Sequence, residues 1–394
     1  MKPPLYLDHH ATTPVDPRVL DAMLPYYRED FGNAASATHA FGWRAEAAVE
    51  NARRSIAGAI GARDPREIVF TSGSTESDNL ALKGVAFGLA AKGDHLVTTA
   101  IEHPAVLDPC RWLEAQGRSV TLLPVDGEGF VDPAAVAAAI GPRTILVSVM
   151  AANSEIGVLE PLAEIGRVCR ERGVLFHSDA AQAVGKIPLD VEALGVDLLS
   201  FSAHKIYGPK GVGALYVRRA RPRIRIEPLL HGGGHEHGLR SGTLPVPLIV
   251  GFAKALELCL AALPEEGARI ARLRDDLLAR LEGEIPGLRL TGPRGARLPG
   301  NLHVCIPGID ADQVIVALGD VALSTGSACA SARGEPSHVL RALGLPESAL
   351  RSGLRMGLGR GTTREEIDFV ADRLAEVVRD LRERAPRAAV ATGG

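Results

Sequence analysis

Between residues 45 and 220, short apolar runs alternate with stretches in which apolar residues recur every three or four positions. The runs read EIVFTS, HLVTTAIE, SVTLLPV, TILVSVMAA, VLFHSDA and VDLLSFSA. Strands that alternate with helices in this way usually form a largely parallel sheet covered by helices. The pattern therefore predicts an α/β domain whose functional residues lie just after the strands.

A second pattern begins further along the chain. From about Pro245 to Glu284 the sequence is typical of a helix, and LRLTG, NLHVCIPG and a last helix from about Thr363 to Arg384 follow. These elements predict a second, smaller α+β unit. The predicted division is residues 15–260 for the large domain, 1–14 and 261–385 for the small domain, and 386–394 for a flexible tail.

The composition restricts the class of partner. The 394 residues include 44 basic and 47 acidic side chains, a formal net charge of −3. This balance provides no general electrostatic attraction for nucleic acid or an anionic membrane. We find no leader-like start and expect no run long and apolar enough to cross a bilayer. We therefore expect a cytoplasmic protein that acts on a small molecule or a protein.

The cysteines do not form a disulfide or metal pattern. They are scattered at Cys110, Cys169, Cys259, Cys305 and Cys329, and an odd count argues against a closed disulfide framework. Cys110, Cys169 and Cys259 lie in helix-like apolar patterns, which predicts that they are small core residues.

Cys329 differs because it lies in LSTGSACASARGEPS, a stretch of small residues that predicts a mobile loop. A buried core position is the other interpretation. After the loop, Pro336 and SHVLRAL predict a helix with proline in its first turn. That helix would anchor one end of the loop.

Polar side chains follow several predicted strands. Ser74 and Thr75 open a helix in FTSGSTESDNLAL, either as ordinary caps or as part of a phosphate site at the helix N-terminus. Asp179 and Gln182 follow VLFHSDA, and a buried strand-end carboxylate needs a cation or hydrogen-bond donors. Asn153 lies just past TILVSVMAA, where a strand-end cap is also a sufficient explanation.

Two more strand ends carry candidate residues. His103 precedes a proline, which favours an extended backbone at the histidine. Lys205 follows VDLLSFS, with Ser202 and His204 beside it. Taken separately, a loop histidine and a solvated lysine are ordinary features. Taken with the neighbouring strand ends, they match the needs of pyridoxal 5′-phosphate: a phosphate site, an acid for the ring nitrogen, a stacking ring and a Schiff-base lysine.

Longer motifs carry a family resemblance. SDAAQAVGK, SAHKIYGPKGVGALYV, TSGSTESDNLALKG and LRSGTLPV resemble fold-type I pyridoxal-phosphate enzymes of the class V aminotransferase group. STGSACAS, EPSHVLRALGL and LRMGLGRGTTREEID resemble, more narrowly, the cysteine desulfurases of iron–sulfur cluster assembly and nitrogen fixation. The similarity extends from YLDHHATTPVDPRV to about Asp368. It implies a large domain with a mostly parallel seven-stranded sheet and a smaller α+β domain.

The resemblance also implies roles for individual residues. For the cofactor, these are Lys205 on the aldehyde, Asp179 on the pyridine nitrogen, Gln182 on the phenolic oxygen and His103 stacked on the ring. For the phosphate, they are Ser74, Thr75, Ser202, His204 and, from the second subunit of a homodimer, Thr243. For the substrate carboxylate, they are Asn153 and Arg355, with Asn33 nearby.

The implied reaction converts L-cysteine to L-alanine and leaves the sulfur as a persulfide on Cys329, in a loop of the small domain. Lys205 would remove the α-proton and His103 would carry protons. An iron–sulfur scaffold or another protein would accept the sulfur, and Cys329 is a candidate transient ligand of the cluster. The alternatives are a selenocysteine lyase, a class V aminotransferase, and a non-catalytic sulfur-relay or metal-carrying assembly protein.

Three positions depart from the family pattern. GNAAS has Ala34 where proline is common, His237 replaces an arginine, and Gly357 stands where serine is frequent. We expect these changes to affect loop rigidity and dimer contacts more than cofactor chemistry. HGGGHEH also offers His231, His235 and His237 to a metal, but its three glycines suit a flexible or tightly turning loop, and we expect no metal site.

Overall fold

The structure is a computed structural model that describes residues 4–219, 223–326 and 336–384. Its strands are β1 (Leu5–Tyr6), β2 (Ile68–Thr71), β3 (His95–Thr99), β4 (Ser119–Leu123), β5 (Thr144–Ser148), β6 (Leu175–Asp179), β7 (Leu198–Ser202), β8 (Gly213–Val217), β9 (Arg289–Leu290), β10 (Asn301–Cys305), β11 (Val321–Ala322) and β12 (Gly353–Gly357). All six apolar runs that predicted strands form strands.

The helices alternate with these strands through the first part of the chain. They are α1 (Pro17–Met23), α2 (Pro25–Arg28), α3 (Ala40–Ala59), α4 (Ser74–Gly88), α5 (Pro104–Ala115), α6 (Pro133–Ala139), α7 (Leu162–Arg172), α8 (Val191–Leu194), α9 (Val246–Glu284), α10 (Ala311–Ala317), α11 (His338–Ala342), α12 (Glu347–Leu350) and α13 (Arg364–Arg384). Single 3₁₀ turns cover Pro65–Glu67, Ala203–Lys205 and Glu236–Gly238.

The central sheet has seven strands in the order β2-β8-β7-β6-β5-β3-β4. Only β8 runs antiparallel to its neighbours, β2 and β7. Successive side chains of β7 enter different cores: Leu198 packs in one apolar cluster, and Leu199 and Phe201 pack in another. Helices therefore cover both faces of the sheet, which confirms the predicted α/β fold.

The smaller unit has its own sheets and its own core. β10 pairs antiparallel with β9 and β12, and β1 pairs parallel with β11. The long helix α9 belongs to both units: its residues up to Cys259 pack in the core beneath the large sheet, and those from Ile270 pack in the core of the small unit. This change of core supports a domain boundary near residue 260, which we retain as a proposal.

Two expectations from the sequence were wrong in detail. α9 is long and apolar enough to cross a membrane by length and composition. Its apolar residues instead form parts of two protein cores. The helix predicted to begin with Pro336 in its first turn is α11, which begins at His338 with Ser337 as its N-cap. Because the Ser337 hydroxyl accepts the N–H groups of Val339 and Leu340, Pro336 precedes the cap.

Four cysteines have the inert environment expected of core residues. Cys110, Cys169 and Cys259 are buried on α5, α7 and α9, and Cys305 is buried on β10. Burial raises the pKa of the Cys110 and Cys169 thiols to about 12, so both stay protonated at neutral pH. Cys329 lies outside the described residues.

Candidate active site

A cavity of about 220 Å³ lies where several strands of the large sheet end. Eight of the residues singled out in the sequence line it: Ser74, Thr75, His103, Asp179, Gln182, His204, Lys205 and Arg355. Six of them follow strands of the large sheet, Asp179 is the last residue of β6, and Arg355 lies on β12 of the small unit. The ends of neighbouring parallel strands meet at one edge of a sheet, so residues far apart in sequence come together here.

Lys205 ends the 3₁₀ turn that follows β7. Its Nζ donates to the backbone oxygens of His10 and Ala11 at 2.7 and 2.8 Å, so the N-terminal segment lies against the lysine. Two residues later, Tyr207 has a φ of 65°, which is unfavourable for a bulky side chain. The Thr13 hydroxyl accepts the Tyr207 N–H at 2.7 Å and stabilises this strained turn.

The N-terminus of α4 offers backbone N–H groups to an anion. Its N-cap is Gly73, so no side chain caps the helix. A Cβ on Gly213 of β8 would lie 2.7 Å from the Gly73 Cα, so only glycine at position 213 allows this close approach. Nearby, at the end of β7, the buried Ser202 Oγ has no hydrogen-bond partner within the described part of the chain. These groups have the chemistry of a phosphate site.

His103 and Asp179 face the same cavity. The backbone of His103 is extended, as predicted, and its Nδ1 accepts the Ala105 N–H at 3.1 Å, which leaves the proton of the neutral ring on Nε2. Burial lowers the His103 pKa. Burial raises the Asp179 pKa, while His103 and Lys205 act in the opposite direction. The Asp179 Oδ1 also accepts the Ala181 N–H at 2.9 Å.

Arg355 is 2% exposed and reaches the cavity from β12. Its Nη2 donates to Asp8 Oδ1 at 2.8 Å, and its Nη1 donates to the Ser154 carbonyl at 3.3 Å. The Nε is buried with no hydrogen-bond partner in the described residues. Because a guanidinium binds a carboxylate through two parallel bonds, Arg355 can hold an amino-acid carboxylate here.

Asn153 lies behind the cavity wall rather than on it. Its Nδ2 donates to the Ile101 carbonyl at 2.9 Å, and its Oδ1 accepts the N–H groups of Glu155 and Ile156. The amide therefore shapes the turn that carries Ser154. A contact with substrate, as the resemblance implies, remains a prediction for Asn153.

Asn33 and Thr243 do not line this cavity within one chain. The Asn33 Oδ1 accepts the Ala35 N–H in a surface turn, and a place beside the substrate stays a prediction for Asn33. Asn33 instead lines a groove of about 190 Å³ with His235 and His237. Thr243 is exposed on the loop that follows these histidines. Among the described residues, no His, Cys, Asp and Glu group is arranged to hold a metal.

The sequence analysis missed three residues of this region. They are Asp8, which pairs with Arg355; His10, whose carbonyl accepts from Lys205; and Asp78, which is fully buried and lines the cavity. His177 Nε2 lies 3.5 Å from the Asp78 Oδ1, and burial raises the Asp78 pKa well above its usual value. The sequence did contain a signal for Asp78: it lies on the same face of α4 as the apolar residues Leu82 and Val85, where an acid is unusual.

Comparison with known proteins decides the family. The pattern described as Aminotransferase class-V matches residues 5–370. The chain belongs to the class-V aminotransferase family. It is 56% identical over 386 residues to cysteine desulfurase IscS of Anaeromyxobacter dehalogenans, with 98% of this chain and 95% of the relative covered. Human cysteine desulfurase is 52% identical, covering 97% of this chain and 83% of the relative.

A solved structure agrees with these relatives. A NifS-like protein is 38% identical with a TM-score of 0.89, and the match covers 96% of this chain and all of that one. Fold, sequence and family therefore agree that the chain is an enzyme of the cysteine desulfurase group. Both curated relatives are cysteine desulfurases, which favours this group over the aminotransferase and non-catalytic alternatives.

Proposed function

We propose that the chain desulfurates L-cysteine to L-alanine with pyridoxal 5′-phosphate held as a Schiff base on Lys205. The observation that carries this proposal is a single cavity lined by the α4 N-terminus, the Asp179 carboxylate, the His103 ring and Lys205. Pyridoxal phosphate needs each of these chemical groups.

The residues fit the cofactor. The uncapped N-terminus of α4 and the unpartnered Ser202 hydroxyl would meet its phosphate, with Thr75 and His204 beside them. The buried Asp179 would hold the ring nitrogen protonated. When bound, pyridoxal phosphate supplies an electron sink for reactions at the α-carbon of an amino acid.

The chain's own groups supply binding and proton transfer. Arg355 holds the substrate carboxylate and so orients the α-carbon. The Lys205 amine takes the α-proton, and His103 carries protons through its Nε2. In the overall reaction the substrate's carbon–sulfur bond breaks, a sulfur–sulfur bond to Cys329 forms, and the β-carbon gains a proton. The electrons balance without an external oxidant or reductant.

Sulfur delivery is the second half of the proposal. We propose that the persulfide on Cys329 passes its sulfur to an iron–sulfur scaffold or another acceptor protein in the cytoplasm. Cys110, Cys169, Cys259 and Cys305 are buried in cores, which makes each a poor donor to a second protein.

Borohydride reduction of the purified, cofactor-loaded protein tests the assignment. We expect the pyridoxyl group on Lys205 after peptide mapping. Lys186 is the natural competitor, because burial lowers its pKa to about 7 and an uncharged amine is the form that attacks an aldehyde. A pyridoxyl group on Lys186, or a protein that binds no cofactor, would refute the proposal.

The working unit should be a two-fold dimer in which Thr243 reaches the partner's phosphate site. Large apolar side chains are exposed on α1, α2, α3 and the segment between α2 and α3, namely Leu20, Tyr27, Phe31, Phe41 and Trp43. Such a set of exposed side chains is typical of a surface that another copy covers. Light scattering should therefore give twice the 41.5 kDa mass of the chain. A fully active monomer would contradict the proposal that Thr243 contributes to the phosphate site of the partner subunit.

A further inference from the structure

A second cavity lies against the candidate active site. It holds about 50 Å³ and is lined in part by His10, Lys186, Lys205 and Glu266. His10 and Lys205 line both cavities, whereas Lys186 lines only the second and Gln182 only the first. Lys186 thus lies next to the candidate active site without lining its cavity. The reaction proposed above gives Lys186 no role.

Hydrogen bonds connect Lys186 to the first cavity through Gln182. Lys186 Nζ donates to Gln182 Oε1 at 2.8 Å, and His10 Nδ1 lies 3.1 Å from the same oxygen. Gln182 Nε2 donates to the His10 carbonyl at 2.9 Å. A backbone carbonyl can only accept, so the amide nitrogen must face His10 and the amide oxygen must face Lys186.

This arrangement fixes which group Gln182 presents to a ligand. An amide nitrogen carries two hydrogens, and the His10 carbonyl takes one of them. The second hydrogen remains for the cavity that Gln182 lines. Without Lys186, the amide oxygen would keep only His10 Nδ1, at 3.1 Å, so the side chain of Gln182 would be held less firmly in the orientation that points its second hydrogen at the cavity.

We propose that Lys186 is a positioning residue that holds Gln182 as a hydrogen-bond donor toward the phenolic oxygen of the cofactor. The inference rests on the proposed function, because that oxygen belongs to bound pyridoxal phosphate. Burial lowers the Lys186 pKa to about 7, so an anionic ligand nearby would favour the charged form, which can only donate. The titratable and charged groups that line the second cavity with Lys186 are His9, His10, Lys205, Tyr207, Cys259 and Glu266. Arg355 and His204 interact with its charge from the first cavity.

The test uses the loaded enzyme and follows the pH midpoint at which the visible band of the cofactor changes. A hydrogen-bond donor to the phenolic oxygen stabilises its negative charge, and this lowers the pKa of the proton that the oxygen shares with the lysine nitrogen. Lys186→Met and Gln182→Ala should therefore each raise the midpoint, by about one pH unit. Because Lys186 acts through Gln182, the double variant should shift less than the sum of the two single shifts.

Lys254→Met is the matched control, since Lys254 is paired with Glu257 on α9 and lines neither cavity. Its midpoint should equal that of the parent. Lys186→Gln keeps a neutral N–H donor and should give less than half of the methionine shift, and it replaces the methionine variant if that one does not fold. Additive shifts, no shift, or equal shifts for glutamine and methionine would overturn the positioning role. A parent protein with no visible band would instead refute the proposed function.

Discussion

Cys329→Ser protein is expected to bind pyridoxal phosphate normally and to release almost no alanine from L-cysteine. The substitution is nearly isosteric, but a hydroxyl is barely ionised at neutral pH and is a far weaker nucleophile toward sulfur than a thiolate. We expect turnover to fall at least ~100-fold. Alanine formation and the visible cofactor band, measured on the same preparation, separate loss of sulfur transfer from loss of cofactor.

Cys305→Ser provides the control for this experiment. Cys305 is buried on β10, and its Sγ lies 3.4 Å from the Thr291 hydroxyl, a contact that a serine can also make. This variant should keep near-normal turnover. In the parent enzyme, mass spectrometry after incubation with L-cysteine should place the added sulfur on Cys329. A persulfide on a buried cysteine, or full turnover by Cys329→Ser, would end the proposed route.

Asp179→Asn should weaken cofactor retention and lower turnover by ~100-fold or more, because a preorganised charge that stabilises the reacting system is lost. Asparagine preserves the shape of the side chain and can still accept the Ala181 N–H. It cannot hold the proton of the ring nitrogen as an anion, and an unprotonated ring is a poor electron sink. Dialysis against cofactor-free buffer and alanine formation measure the two effects.

Asp78→Asn is the comparison for this second prediction. Asp78 lines the same cavity, but burial raises its pKa well above the usual value, which disfavours the charged carboxylate. A neutral amide of the same shape should therefore change turnover much less than Asp179→Asn does. If turnover fell equally in the two variants, the charge on Asp179 would not be what matters, and the proposed role of Asp179 would be wrong.

The order of elements and most of the cavity could be predicted from local sequence. Asp179 and Lys205 follow strongly apolar runs, and the ends of parallel strands share one edge of a sheet, so their proximity follows from topology. The family motifs added His204 and Arg355, which the structure also places on the cavity.

Contacts between distant segments could not be predicted in the same way. The bond from Lys205 to His10 spans 195 residues, and that from Arg355 to Asp8 spans 347. No periodicity in the sequence relates such pairs, because each depends on how the N-terminal segment lies against two packed units. Asn153 combines the two cases: its amide oxygen accepts N–H groups of its own turn, while its amide nitrogen donates to the Ile101 carbonyl, 52 residues away.

The sequence by itself determined the α/β class, the strand ends that carry the chemistry and the family, because local periodicity and long motifs encode them. The tertiary structure alone decided which of two cavities Lys186 faces and which way the Gln182 amide points. It also separated Asn33 and Thr243 from the cavity of their own chain. The physical reason is that hydrogen-bond direction and burial are set by neighbours in space, and those neighbours come from every part of the chain.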